Sequence, residues 1–264
     1  MTVDLNLKKP GPTGTFGGLT FSHDIVHLIG GEEDTNTNTT RRVLLLLESA
    51  GLGDAEIRRR VLKALLDRYV GEDLFYHDPS SYLVPRFLLN DIARYWRTMC
   101  VDSAQKRRDR VEGWALRNIK LRLSRKLIYV AGLWSCLSCH LDPSPELIEA
   151  RQQSDRDALR DATTGFLFQS CERTPLETLA LAFLKYDAIS AARTAFDAYE
   201  KFLAILDDDD ARERLRALDA AEAHSDEIFR RARETADDFQ HGLSTLLFDG
   251  DADLKQDAQS YGVF

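Results

Sequence analysis

Cationic side chains are concentrated in residues 84–132, which is where this sequence could do chemistry. That segment holds twelve Lys or Arg residues and four Asp or Glu residues, a net charge of +8, whereas the whole chain carries −8. The guanidinium group of arginine binds phosphate oxygens through two parallel hydrogen bonds and keeps its charge at any working pH. The segment therefore predicts a site for an anionic, phosphate-bearing ligand.

Helical spacing would bring these side chains together. If residues 86–99 are helical, the polar positions 86, 90, 94 and 97 project from one face. In a second helix over residues 114–132, Asn118, Arg122, Arg125 and Lys126 share a face, while Arg117 and Lys120 fall among apolar positions. The candidate ligand-binding residues are Arg86, Asn90, Asp91, Arg94, Arg97, Arg117, Asn118, Lys120, Arg122 and Arg125.

Carboxylates of the chain itself are the alternative partners for these cations. A buried charge without a partner costs several kcal/mol, so cations on a partly apolar face need an anion. Only Asp91, Asp102, Asp109 and Glu112 are close in sequence. In this alternative the protein is a structural or protein-interaction protein with an internal network of Arg, Asp and Glu salt bridges.

Composition limits the other classes of function. A chain of 264 residues that is 44% hydrophobic can bury a sizeable core. The excess of acidic over basic residues outside the basic segment argues against a protein that coats nucleic acid nonspecifically. The chain lacks an apolar run of the length that a membrane span requires and lacks a secretory h-region, so we expect a cytoplasmic protein without a membrane partner and with four reduced cysteines.

The expected fold is all-α, an irregular multi-helix bundle with a flexible N-terminal arm. Residues 1–20 are rich in Gly, Pro and Thr and predict the arm; residues 21–142 predict a helical domain with the basic cluster. Residues 143–264 predict a C-terminal helical bundle, either separate or continuous with the preceding domain. No strand-like alternation of useful length occurs.

Several helix boundaries can be predicted from capping residues. Asp54 is a suitable N-cap for a helix that ends at Gly71. Pro85 stands where the first turn of a helix tolerates proline. The dipeptide Thr174-Pro175 begins one helix that continues to Leu206, and the acidic run before residue 211 begins another that reaches Leu247. The linker 101–113 lets the two basic helices pack antiparallel around a common cleft.

The sequence SCLSCH contains a C-x-x-C-H pattern at Cys136, Cys139 and His140. That pattern is used for covalent haem attachment, and with Cys100 or Cys171 the same residues could form a tetrahedral zinc site. Covalent haem attachment normally accompanies export, and the second cysteine pair of a strong zinc signature is missing. We therefore expect small apolar thiols packed in a helix, with no metal and no cofactor.

Three segments together carry a family resemblance: DTNTNTTRRVLLLLES, PRFLLNDIARYWRTMCVD and WALRNIKLRLSRKLIYVAGL. Over about residues 22–135 they resemble the helical region that follows the catalytic core in bacterial polymerase-β-like nucleotidyltransferases. The resemblance implies a helical domain that packs beside a catalytic sheet and helps bind the nucleotide or the acceptor, with the candidate residues above on that surface.

The catalytic core of that superfamily is not found in the sequence. It requires a Gly-Ser turn followed by a strand with an Asp-x-Asp pair, whose carboxylates hold two metal ions. We therefore expect a non-catalytic helical module that binds a nucleotide or nucleic acid, with a separate catalytic subunit as partner. If the chain is an enzyme component, the resemblance implies nucleotidyl transfer.

Overall fold

In a computed structural model that describes residues 19–262, all regular secondary structure is helical, which confirms the all-α prediction. The predicted arm, residues 1–20, lies outside the described residues except for Leu19 and Thr20. The helices of the first half are α1 (Ser22–His27), α2 (Asn36–Leu47), α3 (Ala55–Tyr76), α4 (Arg86–Arg108), α5 (Trp114–Lys120) and α6 (Lys126–Leu141).

The second half of the chain is also helical. Its helices are α7 (Pro145–Gln153), α8 (Arg156–Cys171), α9 (Pro175–Lys185), α10 (Ile189–Asp207), α11 (Asp209–Ala217), α12 (Glu227–Ser244) and α13 (Ala252–Tyr261). Two π-helical segments extend this set: Leu121–Arg125 joins α5 to α6, and Thr245–Asp249 follows α12. Short 3-10 turns occur at Pro79–Ser81 and Ala223–Ser225.

Side-chain caps explain where several helices begin. The side chain of Asp54 accepts a hydrogen bond from the Glu56 amide, so its predicted role as N-cap of α3 is confirmed. Thr174 and Glu177 form a reciprocal capping box at the start of α9. Each cap satisfies backbone N–H groups that have no partner inside the helix.

Helix ends are where the sequence expectations were wrong. The helix predicted to stop at Gly71 continues to Tyr76, because Asp73 and Leu74 are buried and extend the packed face of α3. The helix predicted over 86–99 continues to Arg108 and absorbs most of the expected linker. The chain then reverses in five residues, aided by Gly113, whose φ of 76° lies in the left-handed region.

Two long helices expected in the second half are each divided. The helix expected from Pro175 to Leu206 breaks between α9 and α10, where Asp187 adopts a φ of 50°. The helix expected over 211–247 starts two residues earlier, with Asp208 as N-cap, and is interrupted between Ala217 and Glu227.

The two basic helices pack antiparallel, as expected. Trp114 Nε1, at the start of α5, donates a hydrogen bond to the carbonyl oxygen of Ser103 near the end of α4, at 3.2 Å. Trp96, earlier in α4, stacks on Tyr129 in α6 with 5.4 Å between ring centroids. At Gly132 the approach is close enough that a Cβ would stand 3.1 Å from a methyl group of Ile92.

One hydrophobic core extends across the boundary expected at residue 142. Helix α3 packs on α8, α6 packs on α9 and α13, and α10 packs on α12. Fully buried residues therefore come from both halves, for example Leu66, Leu137, Phe183 and Phe239. Among residues 19–262, no helix combines the length and the apolar character needed to span a bilayer.

Candidate anion-binding site

Arg42 is fully buried at the centre of a charged network in the N-terminal half. Its Nη1 and Nη2 atoms donate to the two carboxylate oxygens of Asp34, each at 2.7 Å. Nη2 also donates to Asp91 Oδ2 at 2.6 Å, so α2 and α4 are joined by an ion pair inside the protein. Tyr69 Oη donates to the same Asp91 oxygen at 2.5 Å and accepts a hydrogen bond from Arg42 Nε at 2.8 Å.

The network compensates for the burial of its charges. Burial tends to raise the pKa of Asp34, but the hydrogen bonds from Arg42 and from the Gly30 amide prevail and lower it. Burial and the charge of Asp91 raise the pKa of Tyr69 well above its usual range. Each charge in the network has a partner of opposite sign, which offsets the cost of burying it.

Arg94 closes the same network at its outer edge. Its Nη2 atom donates to the Asp34 carbonyl oxygen at 2.6 Å, and its Nε donates to Asn36 Oδ1 at 3.0 Å. Two of the predicted ligand-binding residues, Asp91 and Arg94, are thus bound to the chain's own groups. Asp91, predicted on a ligand-facing surface, is buried against Arg42 because that arginine occupies the interior.

The remaining predicted residues of α4 lie at separate places. Asn90 and Arg97, with Arg94, line a shallow cavity of about 470 Å³ on the outer face of α4. Arg86, at the start of the helix, contacts His77 Nε2 at 3.2 Å and lies over the ring of Tyr261.

A second set of cations follows the axis of α5 and the π-helical segment. Asn118, Arg122 and Lys126 are spaced i, i+4, i+8, and Arg122 and Lys126 contact residues of α12. Arg122 Nη1 pairs with Asp237 Oδ1 at 3.2 Å, and Lys126 Nζ donates to Gln240 Oε1 at 2.5 Å. We call Asn118, Arg122 and Lys126, with their neighbours on α4 and α12, the basic groove.

A cavity of about 550 Å³ opens between α4 and α5, next to Asn118. The Oδ1 atom of Asn118 is buried there and has no hydrogen-bond partner. Lys126 lies near Cys100, and its charge counteracts the burial that raises the pKa of that thiol. The cavity is lined by Cys100, Ser103, Ala104, Arg107, Arg108, Trp114, Asn118 and Leu121.

Burial and neighbouring like charges lower the pKa of two cations in the groove. Burial, and then the charge of Arg122, lowers the pKa of Lys126 to about 8. Burial lowers the pKa of Arg122 as well, and the nearby Arg233 of α12 acts in the same direction. The positive forms of these groups are therefore less stable than in water, and an anion would stabilise them.

The other predicted cations of this region face elsewhere. Lys120 turns toward α11, and its pKa is lowered by burial and then by Arg125, Arg212 and Arg216. Arg125 pairs with Glu48 at 3.4 Å. Arg117 is exposed. The predicted residues are thus divided among the Arg42 network, the outer face of α4 and the basic groove.

Sequence reasoning missed the contributions of distant elements. Arg233, Asp237 and Gln240 lie more than a hundred residues from Arg122, and no local pattern connects them. The burial of Arg42 could have been predicted from the sequence, since Arg42 shares a helical face with Thr39 and Leu46, which are both buried.

The C-x-x-C-H residues are part of the interior. Cys136 and Cys139 are fully buried, and burial raises the pKa of the Cys139 thiol to about 12. His140 Nδ1 lies 2.6 Å from Asp257 Oδ2 on α13, an interaction that joins α6 to the end of the chain. Within residues 19–262, no group of three His, Cys, Asp or Glu side chains is arranged to hold a metal ion.

Comparison with protein-family models, with curated proteins and with solved structures yields no match to this chain. The resemblance of residues 22–135 to nucleotidyltransferase helical regions therefore remains a prediction.

Proposed function

We propose that this protein binds a phosphate-bearing ligand, a nucleotide or a nucleic-acid backbone, in the basic groove. The observation that carries the proposal is the environment of Lys126. Its ammonium group is half-buried beside Arg122, yet its hydrogen-bond acceptor is the neutral amide of Gln240. No carboxylate forms an ion pair with Lys126 within residues 19–262, although Asp237 is near.

The shape of the site supports a small or extended ligand of this kind. The cavity at the Asn118 end of the groove has a volume of about 550 Å³, in the range of known ligand pockets, roughly 300–1,000 Å³. Arg107 and Arg108 continue the positive surface at the far end of the cavity, and Trp114 contributes an aromatic wall. The guanidinium group of Arg107 lies over the Trp114 ring, and the cations at this end of the cavity suit a phosphate group.

The resemblance to nucleotidyltransferase helical regions supports the nucleotide side of this proposal. On that basis we infer a non-catalytic binding module, with a separate catalytic subunit as its partner. Asn118 and Arg122 are shared by the predicted surface and by the groove.

The alternative function, a structural or protein-interaction protein, is favoured by the Arg42 network. There the cations Arg42 and Arg94 are neutralised by Asp34 and Asp91, as internal salt bridges require. The binding function and the structural function are assigned to different parts of the basic segment, so they can be tested separately.

Thermal unfolding with added ligands tests the binding proposal. ATP, pyrophosphate and a short single-stranded RNA should each be titrated, because the groove recognises the phosphate they share. A ligand at one hundred times its Kd stabilises the folded state by about 2.7 kcal/mol, and the melting temperature rises accordingly. Added salt should reduce the shift.

Matched variants assign the effect to the groove. The double variant Arg122→Gln/Lys126→Gln should lose the ligand-induced shift while its unliganded melting temperature stays equal or rises, since like charges are removed. Lys185→Gln, which removes a paired surface cation next to Asp142, should keep the shift. A double variant that still responds fully to ligand, or a wild-type protein indifferent to all three compounds, would refute the proposal.

A further inference from the structure

The basic groove has a cation lying over a tryptophan ring at each of its two ends. At the α12 end, Lys126 Nζ lies 5.9 Å from the centre of the Trp96 ring. At the other end, the guanidinium carbon of Arg107 lies 5.3 Å from the centre of the Trp114 ring. Cys100 connects the ends, since it lines the cavity with Arg107 and its thiol is close enough to Lys126 to feel the charge of that amine. The two ends therefore belong to one continuous surface.

The distance between the two ends is the same when it is measured along either helix. Trp96 and Arg107 are eleven residues apart on α4, which corresponds to about 16 Å. Trp114 and Lys126 are twelve residues apart on the run formed by α5, the π-helical segment and the start of α6, which corresponds to about 18 Å. Because the two helices are antiparallel, both values describe the same span.

Both ends carry positive charge that the chain itself does not neutralise. Two neighbouring carboxylates are already used, since Asp237 pairs with Arg122 and Asp109 pairs with Arg108. Three cations form no ion pair within the part of the chain that the structure describes: Lys126 and Arg233 at the α12 end, and Arg107 at the other end. A ligand that neutralises them all must place negative charge at both ends.

This requirement distinguishes among phosphate-bearing ligands. A mononucleotide or pyrophosphate holds its phosphates in one compact group and reaches one end only. A stacked nucleic-acid strand has one phosphate for about every 3.4 Å, so the span corresponds to about five phosphates. Between the ends lies the cavity of about 550 Å³, where Asn118 and the apolar walls at Ala104 and Leu121 leave room for a sugar or a base. An inorganic polyphosphate chain would leave that cavity empty.

We infer that the ligand of the basic groove is a single nucleic-acid strand, whose backbone runs from Arg107 to Lys126 over about six nucleotides. This inference rests on the binding function proposed above and assigns that function to a strand instead of a free nucleotide. The cationic contacts are made to phosphates, which position a strand without reading its sequence. Affinity therefore depends on strand length and on salt.

Fluorescence anisotropy with labelled oligouridylates of increasing length measures the span. Affinity should rise steeply from two to about six nucleotides, because only the longer strand reaches both ends, and should rise little beyond that length. A hexanucleotide that binds no more tightly than a dinucleotide would overturn the inference. So would a nucleic-acid duplex, or an inorganic polyphosphate of equal charge, that competes as strongly as the single strand.

Substitutions at the two ends test which residues the strand reaches. Arg107→Gln and Arg233→Gln should each weaken hexanucleotide binding about tenfold and reduce the slope of log K against log salt by about 0.7, because one phosphate contact is lost. Arg173→Gln, which removes an exposed arginine next to Lys185, is the matched control and should bind like the wild type. Circular dichroism establishes that the variants are folded. Unchanged hexanucleotide affinity in folded Arg107→Gln would contradict the proposed path.

These measurements also separate the inference from the proposed function. If pyrophosphate and ATP stabilise the protein but a hexanucleotide gains nothing over a dinucleotide, the inference fails and phosphate binding in the groove stands. If neither compound stabilises the protein and no oligonucleotide binds, both fail.

Discussion

Asp73 shows how much a single buried carboxyl group contributes to this fold. It lies at the C-terminal end of α3, fully buried, and its Oδ2 atom accepts a hydrogen bond from the Phe87 amide at 3.1 Å. The first residues of α4 follow Pro85, which supplies no side-chain cap, so Asp73 caps that helix from a distance. Its other oxygen and the hydroxyl of Tyr82 are both buried without hydrogen-bond partners.

The ionisation of Asp73 should make stability depend on pH. Burial raises the pKa of Asp73 from 3.8 to about 6, against the hydrogen bond from Phe87 and the charges of His77 and Arg86. The folded state therefore binds the proton more tightly than the unfolded state, and the free energy of unfolding falls as pH rises from about 4 to about 6. The difference corresponds to roughly 3 kcal/mol at most.

Asp73→Asn keeps an acceptor for the Phe87 amide and removes the charge. We expect this variant to be more stable than the wild type at pH 7, by about 1–3 kcal/mol, and to lose that advantage near pH 4. Denaturant unfolding at several pH values measures both effects. Asp238→Asn, on the exposed face of α12, is the control; an advantage for Asp73→Asn that is equal at pH 4 and pH 7 would contradict the assigned pKa.

At the scale of the elements, helix pairs meet closely where glycine permits it. Gly242 lies where α12 crosses α10, and a Cβ there would stand 2.7 Å from the Ala191 carbonyl oxygen. The atoms around it are backbone and a short alanine side chain, which cannot rotate away. Gly165 in α8 is the opposite case, since no atom lies within 4 Å of its Cβ position.

The variants Gly242→Ala and Gly165→Ala should therefore change stability in opposite directions. We expect Gly242→Ala to cost about 1–3 kcal/mol through overpacking, because backbone atoms must move. Gly165→Ala should gain up to about 1 kcal/mol, since alanine favours a helix interior over glycine. Chemical denaturation measures both, and a stabilised Gly242→Ala would show that α10 and α12 pack less closely than described here.

Local signals in the sequence were sufficient to predict which segments are helical, but they were insufficient to predict where several helices end. Asp54 and Thr174 could be recognised because a cap acts within three residues of its own position. The break at Asp187 carries no Gly or Pro, so the periodicity alone suggested one long helix. The continuation of α3 beyond Gly71 depends on burial of Leu74 by other helices, which is tertiary information.

Across the molecule, the two parts of the basic segment have different surroundings. Its first part is tied to α2 and to the turn before it through Asp34, Arg42 and Asp91. Its second part meets α12, which is more than a hundred residues away in sequence. Net charge marked the segment as a whole, and only the packing of distant elements shows which of its cations have carboxylate partners.

Binding in the groove should be linked to proton uptake. With a pKa of about 8, the amine of Lys126 is roughly half protonated at pH 8. A phosphate group stabilises the protonated form and raises that pKa, while phosphate itself is already ionised at this pH. Binding of ATP at pH 8 should therefore draw up to about half a proton from the buffer.

Calorimetric titration of ATP at pH 8, in two buffers of different ionisation enthalpy, measures binding in the groove and the proton uptake linked to it. We expect ATP to bind the wild type with proton uptake, and to bind Lys126→Arg with that uptake lost, because arginine stays charged. No detectable binding to the wild type, or the same proton uptake in Lys126→Arg, would contradict the account.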